Sequence, residues 1–129
     1  MHYIKFINLY KQNSLAKKIY YTTYISKKSK KLLEKFIELG LIKHAVSEKK
    51  NLQTTRIYIN YIRQEKVYKN LINLYKPSKK KNISNKTLQI KKQFSTSSTF
   101  ILLTSKGIIT NFEAMTKNSG GILLCQINY

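Results

Sequence analysis

The chain has 129 residues, enough for one domain or two small ones that share a core. Its 25 Lys and Arg residues against 5 acidic ones give a formal charge of +20 and a pI of about 10.1, a balance that opposes compaction and favours a polyanionic partner. With 42% hydrophobic and 12% aromatic residues it is too apolar for a disordered basic tail, so composition points to a folded nucleic-acid-binding protein.

The acids are Glu34, Glu38, Glu48, Glu65 and Glu113, and no two are placed as a catalytic pair. His2, His44 and Cys125 make neither a recognisable metal site nor a nucleophile–base pair. Cys125 sits in an apolar segment and reads as a small buried hydrophobe. Neither an enzyme nor a cofactor is expected. No apolar run approaches the ~18–20 residues that span a bilayer. The N-terminus is basic and amphipathic like a mitochondrial presequence, but its cations are lysines, and Arg56 and Arg63 lie far inside. Heavy use of Lys, Asn, Ile and Tyr matches A+T-rich codons and hints at an organelle's own genome.

In chain order, Tyr3–Leu15 places Ile4, Ile7, Tyr10 and Leu15, with Phe6 and Leu9, on an approximate helical stripe. Lys11, Gln12 and Asn13 gather near its end, as solvated polar residues or RNA contacts. Ile19–Ile25 is β-branched and aromatic and predicts a strand. A helix follows, capped by Ser26 or Ser29, with Leu32, Leu33, Phe36, Ile37 and Leu39 as its buried face and Gly40 as its left-handed terminator. Lysines at 27, 28, 30 and 31 crowd its first turns, which opposes the helix dipole unless an anion lies nearby.

Leu41–Val46 predicts a strand, and Ser47–Asn51 a turn. Thr54–Ile62 alternates Arg56, Tyr58 and Asn60 against Ile57, Ile59 and Tyr61, the period of a half-buried strand. A turn at Gln64–Lys66 and a third strand over Val67–Tyr75 complete an α+β first half. Lys76, the only proline Pro77, and Lys79–Lys81 mark a boundary between domains 1–76 and 77–129. Leu88, Ile90 and Phe94 fit a short helix or an extended piece, and Ser95–Thr99 reads as a polar link.

The closing thirty residues are the most tightly specified. Phe100–Leu103 is apolar, Thr104-Ser105-Lys106-Gly107 forms a polar loop, and Ile108-Ile109 returns to apolar. Thr110 or Asn111 stands ahead of Glu113 as a helix start, and Gly120-Gly121 leads into a last strand, Ile122–Ile127. Hydroxyls meet the 2′-OH and base edges of RNA, a lysine meets phosphate, and glycine permits close approach at positive φ. By itself the tetrapeptide is weak evidence and fits a plain β-turn with a solvated lysine better than an RNA-binding loop.

The register of these elements resembles the ribosomal protein S8 family of the small subunit. That family ends in an apolar strand, S-T-S-K-G, two apolar residues, T-D-x-E-A, then V-G-G-E-[VI]-[LI]-C-Y-V. Here Thr104–Gly107, Ile108-Ile109, Thr110-x-x-Glu113-Ala114, Gly120-Gly121 and Leu124-Cys125 fall into that pattern without a gap. More faintly, Ser26-Lys27 through Gly40-Leu41-Ile42, Lys76-Pro77, and Phe6, Ile7 and Tyr10 with Lys11, Gln12 and Asn13 follow it as well.

The resemblance implies an α+β protein of two small, closely associated α/β domains, the first helix–strand–helix–strands and the second β-rich with one short helix. It implies a structural constituent of the small subunit that binds the central domain of its rRNA, supports platform assembly and neighbours other small-subunit proteins. The RNA-contacting positions it implies are Thr104, Ser105, Lys106, Gly107, Gly120, Gly121, Lys11, Gln12, Asn13, Lys27, Lys30 and Lys76. Three departures stand out: Leu103 for the first serine, Ile122 for the glutamate, and Thr96-Ser97-Ser98 for a G-L-G. They suit an organellar ribosome with remodelled RNA. A mitochondrial ribosome is expected over a plastid type, since the pattern begins almost at Met1 and leaves no room for a cleaved leader. Two rival readings are a general basic RNA-binding accessory protein and a membrane-surface binder using the N-terminal helix.

Overall fold

Tyr3, Phe6, Ile7, Tyr10 and Ser14 stand at i, i+3, i+4, i+7 and i+11, one face of a helix, and all five are buried on helix α1 (His2–Leu15). We describe a computed structural model, and the described residues are 2–47, 54–76, 78, 82–84 and 98–129. The chain divides into two units, residues 2–67 and 68–129.

In the first unit α1 is followed by β1 (Tyr20–Tyr24), α2 (Lys27–Glu38), β2 (Ile42–Ser47) and β3 (Thr54–Ile59). The strands form an antiparallel sheet in the order β1-β3-β2. Ser26 caps α2 in a reciprocal box: its hydroxyl accepts the Ser29 N–H at 3.3 Å, and the Ser29 hydroxyl accepts the Ser26 N–H at 3.0 Å. Phe36 meets the rings of Phe6 and Tyr10 edge-on, each 5.2 Å between centroids, contacts worth about 1 kcal/mol each beyond their buried area. The Tyr10 hydroxyl donates to the Leu41 carbonyl at 2.9 Å, and Asn60 donates to the Gly40 carbonyl at 2.8 Å, which pins the turn between α2 and β2.

Two residues expected on the buried face of α2 fall off it. Ile37 is exposed and Leu39 half-buried, because the core stripe runs 29, 32, 33, 36 and Ile37 lies a further 100° around the helix. Lys35 is buried instead, its ammonium 2.6 Å from the Glu38 carboxylate. The Thr54–Ile62 run breaks at Asn60: β3 stops at Ile59, and β4 (Tyr61–Ile62) pairs with β5 (Glu65–Lys66) around Arg63 and Gln64, both at positive φ.

The second unit holds β6 (Asn70–Asn73), β7 (Asn82–Ile83), β8 (Ser98–Thr104), β9 (Gly107–Thr110), α3 (Asn111–Thr116) and β10 (Gly121–Asn128). The sheet order is β6-β10-β8-β9, all antiparallel, with β7 also on β10. Ile83, Phe100, Leu102, Ile109, Ala114 and Leu123 form a core under α3. The structure is α+β, as the sequence led us to expect.

Here three readings change. The strand expected over Val67–Tyr75 is confined to Asn70–Asn73, and it joins the second unit: Leu71 is fully buried and opposite Ile127. The division between units accordingly falls after Val67, ahead of the boundary expected after residue 76. Ser98 and Thr99 are buried in β8 and belong to no polar link; the Ser98 hydroxyl donates to Asn128 at 2.6 Å. Glu48–Asn51, Pro77, Lys79–Lys81, Leu88, Ile90, Phe94, Thr96 and Ser97 lie outside the described residues.

Candidate nucleic-acid interface

The Thr104–Gly107 hairpin joins β8 to β9, with Thr104 and Gly107 as the closing pair. Gly107 has φ 107°, and a Cβ there would meet nothing within 4 Å, so backbone conformation and not space calls for glycine. The Thr104 hydroxyl accepts the Lys106 N–H at 3.1 Å and donates to the Gly107 carbonyl at 2.9 Å. Its hydrogen is thereby used inside the loop. Ser105 is exposed and its hydroxyl has no hydrogen-bond partner among the described residues. The Lys106 ammonium crosses to the carbonyl of Lys117, the C-cap of α3, at 3.1 Å, where the helix dipole favours a cation.

β10 supports this hairpin from the side. A Cβ on Gly121 would lie 2.6 Å from the Leu103 carbonyl oxygen and 2.6 Å from Thr104 Cγ2, closer than real atoms approach. Gly121 therefore lets β10 press against the base of the loop. Gly120 serves a different neighbour: its Cβ would strike the carbonyl of Ile83 on β7 and crowd Ser84 just after it.

Helix α3 anchors the other end of β9. Thr110 is its N-cap, accepting the Glu113 N–H at 3.3 Å while the Glu113 carboxylate accepts the Thr110 N–H at 3.4 Å. Asn111, the alternative cap, is buried and accepts the Phe100 N–H at 3.1 Å, tying α3 to β8. Sequence reasoning missed Asn111 and the Lys117 carbonyl as supports of the site. An asparagine after a capping threonine carried the first signal; a backbone carbonyl leaves none.

The remaining expected positions occupy other places. Lys11, Gln12 and Asn13 line the last turn of α1, with Gln12 exposed and the Asn13 amide donating to the Leu9 carbonyl at 2.7 Å. Lys27 and Lys30 are exposed on the first turn of α2, which holds no acidic residue. Lys76 is exposed beyond β6. The structure thus gathers Thr104–Gly107 with Gly121 at one point, and Gly120 beside it in sequence on another neighbour. Three helix-terminal residues and two lysines belong to the first unit.

Among the described residues no three His, Cys, Asp or Glu side chains cluster as ligands. Cys125 is fully buried, and burial pushes its thiol up to about 12. No described helix is long and apolar enough to cross a membrane. The apolar face of α1, which a membrane surface would require, is taken up by Phe36 and the first unit's core.

No individual curated protein matches the chain. A family model described as Ribosomal protein S8 matches residues 5–128. That span covers nearly every element above, and the chain belongs to the ribosomal protein S8 family, structural rRNA-binding proteins of the ribosome and not enzymes.

Proposed function

We propose that this protein is a primary rRNA-binding component of the small subunit of a mitochondrial ribosome, contacting the central domain of the rRNA and supporting assembly of the platform. The contact is made by the Thr104–Gly107 hairpin, with Lys11, Gln12, Asn13, Lys27, Lys30 and Lys76 adding phosphate and sugar contacts. The observation that carries this is the loop's internal bracing. Thr104 and Lys106 are held within the fold while the Ser105 hydroxyl is left open to a partner. A loop fixed before binding loses little freedom on binding, and its hydroxyl suits the donor and acceptor groups of an irregular RNA.

Affinity and discrimination divide between different groups. With five glutamates for 25 cations, most lysines have no internal counter-ion, so counterion release from RNA supplies most of the affinity and makes it fall with salt. The hairpin supplies the preference for one RNA. The mitochondrial assignment is supported by the A+T-rich coding bias behind the Lys, Asn, Ile and Tyr content. Cofractionation of the tagged protein from mitochondria tests both parts. Migration with small subunits is expected; recovery only with other ribonucleoproteins would favour a general RNA-binding accessory instead.

A further inference from the structure

The sheet of the first unit has one face against the helices and one face in solvent, and the solvent face is aromatic. Register brings Tyr20, Tyr58 and His44 into a row across β1, β3 and β2. The His44 and Tyr58 rings are stacked, 4.4 Å between centroids and 24° apart. Tyr20 and Tyr58 follow at 5.5 Å and 42°. In the next row Thr22, Arg56 and Val46 lie side by side, with the Arg56 guanidinium 4.8 Å from the centre of the Tyr20 ring. Tyr24, opposite Thr54, ends the face. Tyr20 is 46% and Tyr24 55% exposed.

Cross-strand aromatic pairs stabilise sheets, but that role does not require Tyr20, His44 and Tyr24 to be exposed around a half-buried Tyr58 and Arg56. Strands at ~4.8 Å spacing give the row a width of about 10 Å, enough to lie under the face of a purine. The composition selects the partner. Val46 is the one aliphatic residue of the face, none of the strands β1–β3 contains an acidic residue, and Lys18 and Lys43 are exposed at the margin. Aromatic rings for bases, with arginine and lysine for phosphate, match single-stranded RNA. A regular duplex offers no open base face to such a surface.

We propose that this face is a second RNA site, where one or two unpaired nucleotides stack on Tyr20, Tyr58 and His44. The proposal rests on the reading of the chain as an rRNA-binding protein, and it adds a site separate in sequence from the Thr104–Gly107 hairpin. Tyr58 forms the centre of the platform, and Arg56 holds the Tyr20 ring and meets the phosphate.

The test uses the full-length protein and a labelled single-stranded RNA hexamer carrying one 2-aminopurine, alongside a regular RNA duplex of equal charge. The wild type is expected to bind the hexamer and quench the 2-aminopurine. Tyr58→Leu and Tyr20→Leu should each weaken the hexamer about tenfold and lose the quenching, while Tyr58→Phe keeps both. Circular dichroism controls for folding, and the Phe variant covers the case in which the Leu variants unfold. Hexamer affinity and quenching that survive both Leu substitutions would overturn the proposal. So would Leu variants that keep the hexamer but lose a ribosomal-protein neighbour, which would assign the face to protein. The hairpin reading stands or falls separately, on preference for the central-domain RNA over a scrambled sequence.

Discussion

Leu103 on β8 and Ile122 on β10 are direct cross-strand partners, both half-buried at the base of the Thr104–Gly107 hairpin. These are two of the three positions where the sequence departs from the family pattern, which has serine and glutamate there. Along the sequence they are two separate losses, of a hydroxyl and of a carboxylate acceptor. In the sheet they form one exchange, a polar pair replaced by an apolar one whose Cβ atoms are about 5 Å apart. Leu103→Ser alone should destabilise the protein by about 1 kcal/mol, and Leu103→Ser with Ile122→Glu by less than the sum of the two single changes. Denaturant unfolding of the four proteins measures the coupling; strict additivity would show that the pair is not a unit.

The two glycines of the hairpin region should respond differently to alanine. Gly121→Ala drives a Cβ into the Leu103 carbonyl and the Thr104 methyl, so the loop must move. A cost of about 2 kcal/mol is expected, together with weaker discrimination among RNAs. Gly107→Ala meets no atom and is strained only by its φ of 107°, at about 1 kcal/mol. Unfolding measurements that reversed this order would contradict the packing described for β10.

Thr104 and Ser105 are adjacent hydroxyls with opposite duties. Thr104→Val removes both bonds of the loop brace and should lower stability by about 1 kcal/mol. Ser105→Ala should leave stability within about 0.5 kcal/mol and lower affinity for the cognate RNA by about 1 kcal/mol. Equal RNA binding by Ser105→Ala and wild type would remove Ser105 from the site. Lys106→Ala should weaken all RNAs alike and reduce the salt slope by about one.

Two buried acids fix the alkaline limb of stability. Burial raises the Cys125 thiol to about 12 and raises the Tyr21 phenol too, while in the unfolded chain they ionise near 8.5 and 10. Between those values and the folded ones the unfolded state has lost protons the native state keeps. Stability should therefore be unaffected by these groups below about pH 8.5 and fall progressively above it. Tyr21→Phe should flatten part of that fall. It should cost little at neutral pH, because the buried Tyr21 hydroxyl has no hydrogen-bond partner among the described residues. A pH series of denaturation midpoints for both proteins checks the slope and the neutral value.

How much of this was legible in the sequence shows at the helix ends. All three helices among the described residues close with the same paired bonds, from Lys17 and Lys18 to Ser14 and Asn13, from Gly40 and Leu41 to Ile37 and Phe36, and from Asn118 and Ser119 to Met115 and Ala114. Gly40 announced its end most plainly, since glycine takes positive φ freely. Asn118 at φ 49° takes the same region at little cost for an asparagine, while Lys17 at 55° adopts it against its own preference, held there by the bonds the motif makes.

The strands divide similarly. Alternation over Thr54–Ile59 gave the buried Thr55, Ile57 and Ile59 and the outward Arg56 and Tyr58, because one face is core and the other solvent. β10 gave no such pattern. A bulge between Leu123 and Cys125 lets three successive residues be buried, and the Leu124 carbonyl accepts from both Leu74 and Tyr75. β6 was read into the first half because its partner lies more than fifty residues on, and local sequence carries no trace of so distant a pairing. The hairpin was legible in full, since its turn chemistry is local. Its supports, Asn111 and the Lys117 carbonyl, were not.

The central claim, that the hairpin gives a basic protein its choice of RNA, is tested most directly by one titration. The purified chain is bound to a central-domain fragment of small-subunit rRNA and to a scrambled RNA of equal length, across a salt series. A preference of about a thousandfold that persists as salt rises is the result the braced Thr104–Gly107 loop leads us to expect. Equal affinities that collapse together would contradict it, leaving the charge of +20 as the whole of the interaction.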